Sequence, residues 1–265
     1  MIAWHDFGGV GPDLLLAHAT GFHAHVWLPV VAHLRDRFRC VAVDERGHGD
    51  SAGGPDVDLD WRAASHDLLE VIEAARLVRP FGAGHSAGAA QLLMAEQDAP
   101  GTFRALYCFE PVIPRVPAQP MASPLSEGAR RRKEVFESRD EALARFREKF
   151  PFSLFALDAL RAYVDHGFDD LPDGTVRLKC RREDEARTYE HGVAHDAFAR
   201  LGEVRCPVAV ECGTAPSPFG LDACEAYASR LPDARATALD GLSHFGPQER
   251  PDLIAGRIAA AFLDS

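Results

Sequence analysis

A mostly parallel, doubly wound α/β sheet carrying an inserted helical cap is the fold class that this 265-residue sequence predicts. Three observations carry it. Short apolar runs alternate with amphipathic stretches along most of the chain, the pattern of buried parallel strands covered by helices on both faces. Between 112 and 202 that alternation gives way to helical patterning alone. The pentapeptide Gly84-His85-Ser86-Ala87-Gly88 stands where one short run passes into a helix.

The predicted core strands, in order, are 14–17, 40–43, 78–83, 105–109, 207–212 and 235–239, each a short apolar run between turn residues. The predicted core helices are 26–35, 61–75, 87–97, 222–230 and 251–263. After 109 comes a proline-rich connection, Pro111-Val112-Ile113-Pro114-Arg115-Val116-Pro117. Helical patterns follow at 127–138, 141–150 and 158–166, then at 183–200 beyond the loop Pro172-Asp173-Gly174. A stretch this long cannot be a structureless loop in a compact domain. The division is therefore a core of 1–111 and 203–265, with 112–202 as the cap. Within the cap, Arg130-Arg131-Arg132-Lys133 reads as a solvated helix face, because acidic residues surround it. Phe136, Phe146, Phe150, Phe152, Phe155 and Tyr163 either line an apolar pocket or pack one helix onto the next.

Composition sets the class. With 46% apolar and 26% charged residues, the chain has the make-up of an ordinary soluble globular protein. A net charge of −11 argues against a nucleic-acid or anionic-membrane partner, and solubility is its plain meaning. The start, Met1-Ile2-Ala3-Trp4-His5-Asp6, lacks the basic and apolar regions of a signal peptide, and no run is long enough to span a membrane. Six cysteines stand singly among apolar neighbours, as small core residues do, rather than in a disulfide framework or zinc motif. These features predict a cytoplasmic protein with a small-molecule substrate, no metal and no organic cofactor. Monomer and homodimer stay open.

The chemistry centres on Ser86. Flanking glycines suit a sharp strand-to-helix turn that lifts a hydroxyl above the sheet and aims helical N–H groups at its target. A serine hydroxyl needs a base to attack at neutral pH. His244 is the candidate, because it sits in a loop between the last predicted strand and the C-terminal helix. The other histidines have plainer readings. His5, His33, His66 and His166 look surface-exposed, and His48 lies within a turn. His191 and His195 share a helix face but lack the glutamate of a zinc-protease motif. The backbone N–H of Ala87 is one candidate oxyanion donor. The second falls in His18-Ala19-Thr20-Gly21-Phe22, with Thr20 first and Phe22 as the alternative, while His18 bonds within its own loop.

From about Leu14 onward the chain resembles the α/β-hydrolase superfamily. The motifs that carry the resemblance are His18-Ala19-Thr20-Gly21, the run Asp44-Glu45-Arg46-Gly47-His48-Gly49-Asp50-Ser51, Gly84-His85-Ser86-Ala87-Gly88 and Ser243-His244-Phe245. It implies a sheet with triad loops at its C-terminal edge and a cap between the sixth and seventh strands of the fold. The sequence departs from the family twice. Only one strand, 2–5, fits before Leu14, where the family has two, so either the first is lost or the sequence starts after it. The place where the family puts its acid reads Gly213-Thr214-Ala215-Pro216, without a carboxylate. Some haloalkane dehalogenases of this fold place the acid after the preceding strand, in a similar Glu-then-proline context. That implies Glu110, with Glu211 and Asp222 as weaker candidates and a hinge anchor as its plain role.

Epoxide hydrolases and dehalogenases of the fold use an aspartate where Ser86 stands, so neither chemistry fits. The expected activity is a serine hydrolase acting on a small to medium, largely apolar ester or related acyl compound through an acyl-enzyme. The alternatives are a C–C hydrolase or lyase on the same fold, and a slow-turnover ligand-binding receptor.

Overall fold

The computed structural model describes residues 1–263. Ten strands occur among them. The core strands are β1 (Trp4–Asp6), β2 (Asp13–Ala17), β3 (Arg39–Val43), β4 (Phe81–His85) and β5 (Leu106–Phe109). Three short ones follow: β6 (Val135–Phe136), β7 (Phe168–Asp170) and β8 (Val176–Leu178). β9 (Val208–Gly213) and β10 (Ala234–Leu239) complete the set. Seven form one sheet in the order β1-β3-β2-β4-β5-β9-β10. All its pairs are parallel except β1 with β3.

Alternation along the strands builds two apolar layers. Leu14 and Leu16 face one cluster, with Trp27, Ile254, Ile258 and Phe262, whereas Leu15 and Ala17 face the other, with Trp61, Leu68, Leu92 and Leu93. β4, β5 and β9 are buried throughout, as strands covered on both faces must be. All six cysteines are free and buried, five of them in these layers and Cys180 in the inserted stretch.

Several expected boundaries move. The helix expected at 26–35 is a 3-10 turn over Ala24–Trp27 followed by Leu28–Val31, with Pro29 in the first turn. The strand expected at 78–83 starts only at Phe81, because Val78 is exposed and Arg79 has φ 43°. The opening strand, expected at 2–5, is Trp4–Asp6 and lies at the sheet edge. The inserted stretch is not purely helical. β6, β8 and β7 form an antiparallel sheet that buries Phe136, Phe168, Val176 and Leu178. The helix expected at 127–138 spans Pro124–Arg131 and stops because Arg132 is already extended, feeding β6. The helix expected at 183–200 spans Arg182–His191 and is capped by Gly192, so His191 and His195 do not share a helix face. Short strands of alternating burial are hard to tell from amphipathic helix ends in such polar sequence.

Buried histidines pin the loops at the C-terminal edge of the sheet. His18 donates from Nδ1 to the Ala19 carbonyl at 2.8 Å and accepts the Glu45 N–H at Nε2 at 3.0 Å. His48 donates to the Arg46 carbonyl and accepts the Gly21 N–H at 3.0 Å. His23 donates to the Tyr163 carbonyl at 3.0 Å. Two histidines expected on the surface are instead half-buried. His5 reaches the Asp44 carboxylate at 2.9 Å, and His166 stacks on His25 at 4.0 Å.

The elbow also needs close backbone approach. A Cβ on Gly88 would lie 2.5 Å from the Ala17 and His18 carbonyl oxygens, and the Gly88 N–H donates to the His18 carbonyl at 3.1 Å. Gly88→Ala is therefore expected to destabilise the fold by at least about 2 kcal/mol, read as a lowered urea midpoint. An unchanged midpoint would refute the close packing.

A pH effect follows from the histidines. Burial pushes His23 and His48 down from 6.5 to about 3 and lowers His18 as well. A folded-state pKa below the unfolded one means the unfolded chain takes up more protons as pH falls. Their contribution is complete above about pH 6.5 and is lost progressively toward pH 3. Glu45, raised to about 8 by burial, acts in the opposite sense, but three histidines outweigh it. At pH 5 the loss for His23 and His48 is about 2 kcal/mol each. The urea midpoint should be lower at pH 5 than at pH 7, and an equal or higher value would contradict this.

Candidate active site

Ser86 follows β4 directly, with φ 55° and ψ −112°, in the left-handed region that a side chain rarely occupies. Such a backbone costs about 1–3 kcal/mol and persists only where its surroundings enforce it. Here the Ser86 N–H donates to the Phe109 carbonyl at 2.9 Å, and the helix Ala87–Asp98 begins at the next residue. Its first N–H groups have no partner within the helix.

Glu110 is the equivalent residue one strand over. His85 of β4 pairs with Phe109 of β5, so Ser86 and Glu110 leave the sheet side by side. Glu110 also has positive φ, 42°, and its N–H donates to the Glu211 carbonyl at 2.8 Å. Its side chain is completely buried. One oxygen accepts the Gly213 N–H at 3.1 Å, and the other accepts the Ser217 hydroxyl at 2.7 Å. The loop without a carboxylate therefore cradles one that comes from β5. Burial acts to raise the Glu110 pKa, yet the hydrogen bonds from His244, Ser217 and Gly213 outweigh it and hold the carboxyl below its usual value.

His244 lies between β10 and the short helix Gly246–Glu249. Its Nδ1 stands 2.7 Å from the Glu110 Oε2 and its Nε2 stands 3.1 Å from the Ser86 Oγ. A carboxylate can only accept, so Nδ1 carries the proton and Nε2 faces the serine as an acceptor. The His244 carbonyl accepts the Nε2–H of His85 at 2.7 Å, and burial keeps His85 neutral by holding its pKa well below 6.5. His85 thus ties the histidine loop to the elbow. Sequence reasoning passed over both His85 and Ser217, since neither the variable position of an elbow motif nor a loop serine carries a signal of its own.

The remaining candidates also find places. Glu211 accepts from the Tyr107 hydroxyl at 2.8 Å and pairs with Arg257, while Asp222 is exposed on the helix Leu221–Ala228. In the loop after β2, the Phe22 N–H is spent on the Ala19 carbonyl at 3.1 Å and the Gly21 N–H on His48. Among the described residues the Thr20 and Ala87 N–H groups have no acceptor. Phe22 packs edge-on against Phe155 at 5.7 Å and Tyr163 at 5.8 Å, and Phe155 meets Phe245, next to His244, at 5.9 Å. Phe136 and Phe146 pack against Phe168, and Phe150 is exposed. The expected aromatic set is therefore divided between the site and the interior of the insertion. A surface groove of about 470 Å³, lined by Asp60, Arg62, Asp98 and His195, includes none of the candidate residues.

Comparison with known proteins agrees with this architecture. The sequence model described as "Alpha/beta hydrolase family" matches residues 14–257. The chain is 26% identical over 260 residues to the 2-(acetamidomethylene)succinate hydrolase of Mesorhizobium japonicum, covering 97% of this chain and 90% of that protein. The solved structure of an E-2-(acetamidomethylene)succinate hydrolase matches with a TM-score of 0.82 at 22% identity, covering 100% of this chain and 95% of that one. An enol-lactonase from Burkholderia xenovorans LB400 matches with a TM-score of 0.76 at 20% identity, covering 100% and 96%. These two structural likenesses speak for the fold alone. With most of its length matched by the family model, the chain belongs to the alpha/beta hydrolase family and is a hydrolase.

Proposed function

We propose that this hydrolase cleaves a small to medium, largely apolar ester or related acyl compound through a serine acyl-enzyme, beneath a cap formed by residues 112–202. The observation that carries the reading is the continuous relay from Ser86 Oγ through His244 to Glu110, at 3.1 and 2.7 Å. Ser86 attacks the acyl carbon while His244 Nε2 takes its proton, and Glu110 stabilises the imidazolium that forms. The oxyanion accepts from the Thr20 and Ala87 N–H groups, which no other acceptor among the described residues occupies. His244 then returns the proton to the leaving group. Water attacks the acyl-enzyme with His244 as base, releasing the acid and restoring the serine. The names of relatives, a succinate-derivative hydrolase and an enol-lactonase, are in keeping with cleavage at an acyl carbon. No step calls for a metal or organic cofactor.

Ser86→Ala is expected to abolish ester hydrolysis and labelling by a fluorophosphonate while leaving the thermal midpoint nearly unchanged. Retention of more than about a tenth of the rate, a barrier change under about 1.4 kcal/mol, would overturn the serine mechanism. Labelling of the unaltered protein without turnover of any p-nitrophenyl ester would favour a ligand-binding role instead.

Glu110→Gln separates an acid from a hinge anchor. The amide can donate to Nδ1 and stabilise the wrong tautomer, so kcat should fall by roughly two to four orders of magnitude with KM little changed. A kcat within about tenfold, with altered KM and stability, would make Glu110 a structural anchor.

A further inference from the structure

The basic run read from sequence as a solvated face is one except at Arg132. Arg130 and Arg131 pair with Glu183, Glu190 and Glu127 at the surface, but Arg132, the residue that ends the helix Pro124–Arg131, turns inward. Its Nη1 pairs with Glu185 at 2.8 Å. Its Nε and Nη2 are shielded from solvent and have no hydrogen-bond partner among the described residues. A guanidinium left in this state is costly, because each buried unpaired donor forfeits its hydration. The Nε–Nη2 edge is also the edge that receives a carboxylate through two parallel hydrogen bonds.

The recess that Arg132 lines places this edge beside the candidate oxyanion loop. Gly21, Phe22, Tyr163 and Cys180 share it. Glu185, the ion-pair partner, lies so close to Gly21 that a Cβ there would meet its Oε1 at 2.6 Å, and the Tyr189 hydroxyl reaches the Thr20 carbonyl at 3.4 Å. Among the described residues the Thr20 hydroxyl is also buried without a hydrogen-bond partner. Burial raises the pKa of both Glu185 and Glu45, while the Arg132 charge acts against that shift at Glu185. Free space in the recess is about 10 Å³, the room of one water-sized sphere, so a carboxylate on the Nε–Nη2 edge requires the surrounding side chains to give way.

We infer that Arg132 binds a carboxylate carried by the substrate, so that the acyl compound cleaved at Ser86 is a half-ester or similar mono-derivative of a short dicarboxylic acid. The inference rests on the serine hydrolase reading and narrows it, adding one anionic group to an otherwise apolar acyl chain. Arg132 here is a specificity-determining residue that fixes the acyl chain in register with the oxyanion donors.

The test compares the monomethyl esters of malonate, succinate and glutarate with neutral methyl esters in which an isopropyl group replaces the carboxylate, following proton release. For at least one chain length, kcat/KM for the anionic ester should exceed that for its neutral counterpart by tenfold or more. Arg132→Gln should bring that ratio to about one, and Arg132→Lys, which keeps the charge but not the fork, should leave it between the two. An arginine with a purely structural role would lower both rates together and leave the ratio untouched. Binding is measured separately by calorimetry on the Ser86→Ala protein, which should take up the preferred half-ester and lose that affinity when Arg132→Gln is added. A ratio near one at every chain length, or a ratio unchanged by Arg132→Gln, overturns the carboxylate site while ester turnover leaves the serine reading standing. No turnover of either ester series, with no binding to the Ser86→Ala protein, removes both.

Discussion

Two residues held with positive φ at the ends of neighbouring strands set the geometry of the whole candidate site. Ser86 and Glu110 each occupy the first position past a paired strand end, and each turns its chain sharply away from the sheet. Neither conformation is favourable for a side chain with a Cβ. The sheet enforces both, because the N–H of Ser86 and that of Glu110 continue the ladder onto Phe109 and Glu211. The register of β4 against β5 thus sets the spacing of hydroxyl and carboxylate before any loop is considered. A histidine between them then needs only to arrive from the far end of the chain.

The supply of that histidine explains the shape of the loops on the other side. With no carboxylate after β9, the Gly213 N–H and the Ser217 hydroxyl both point at the Glu110 side chain, and His244 takes the remaining direction. A fully buried carboxylate is tolerable only when its lone pairs are satisfied in this way. The loop after β9 therefore cradles the candidate acid, where the resemblance would have had it supply one. His85 completes the arrangement from the elbow itself, holding the His244 backbone through a single neutral tautomer.

The inserted stretch divides the surroundings of the site by polarity. On one side Phe22, Phe155 and Phe245 present ring faces and edges near His244. On the other, Arg132, Glu185 and Tyr189 approach the loop that carries Thr20. The histidines His18 and His48 hold that loop between the two environments by satisfying the Glu45 and Gly21 N–H groups.

Local sequence determined much of this protein. Apolar runs marked β2, β3, β5 and β9 to within a residue or two, since strands covered on both faces have no polar side to confuse the pattern, and the half-exposed edge strand β10 was placed as closely. The glycines around Ser86 announced the elbow, because a Cβ on Gly84 would lie 2.6 Å from the Ala89 backbone and one on Gly88 2.5 Å from the Ala17 and His18 carbonyl oxygens. Ser86, His244 and Glu110 were legible as candidates from their positions at strand ends, and the structure brings the three within hydrogen-bond reach. What the sequence could not contain is what depends on contacts between distant segments. Whether Glu110, Glu211 or Asp222 faces the histidine is decided by sheet register and by which carboxylate finds donors, not by residue type. The little sheet of β6, β7 and β8 escaped because strands of two or three residues acquire their periodicity only on pairing. Arg132 looked like its charged neighbours in a linear reading. Only the end of the helix at that residue carries its guanidinium inward, and only the packing of the insertion shields its Nε and Nη2.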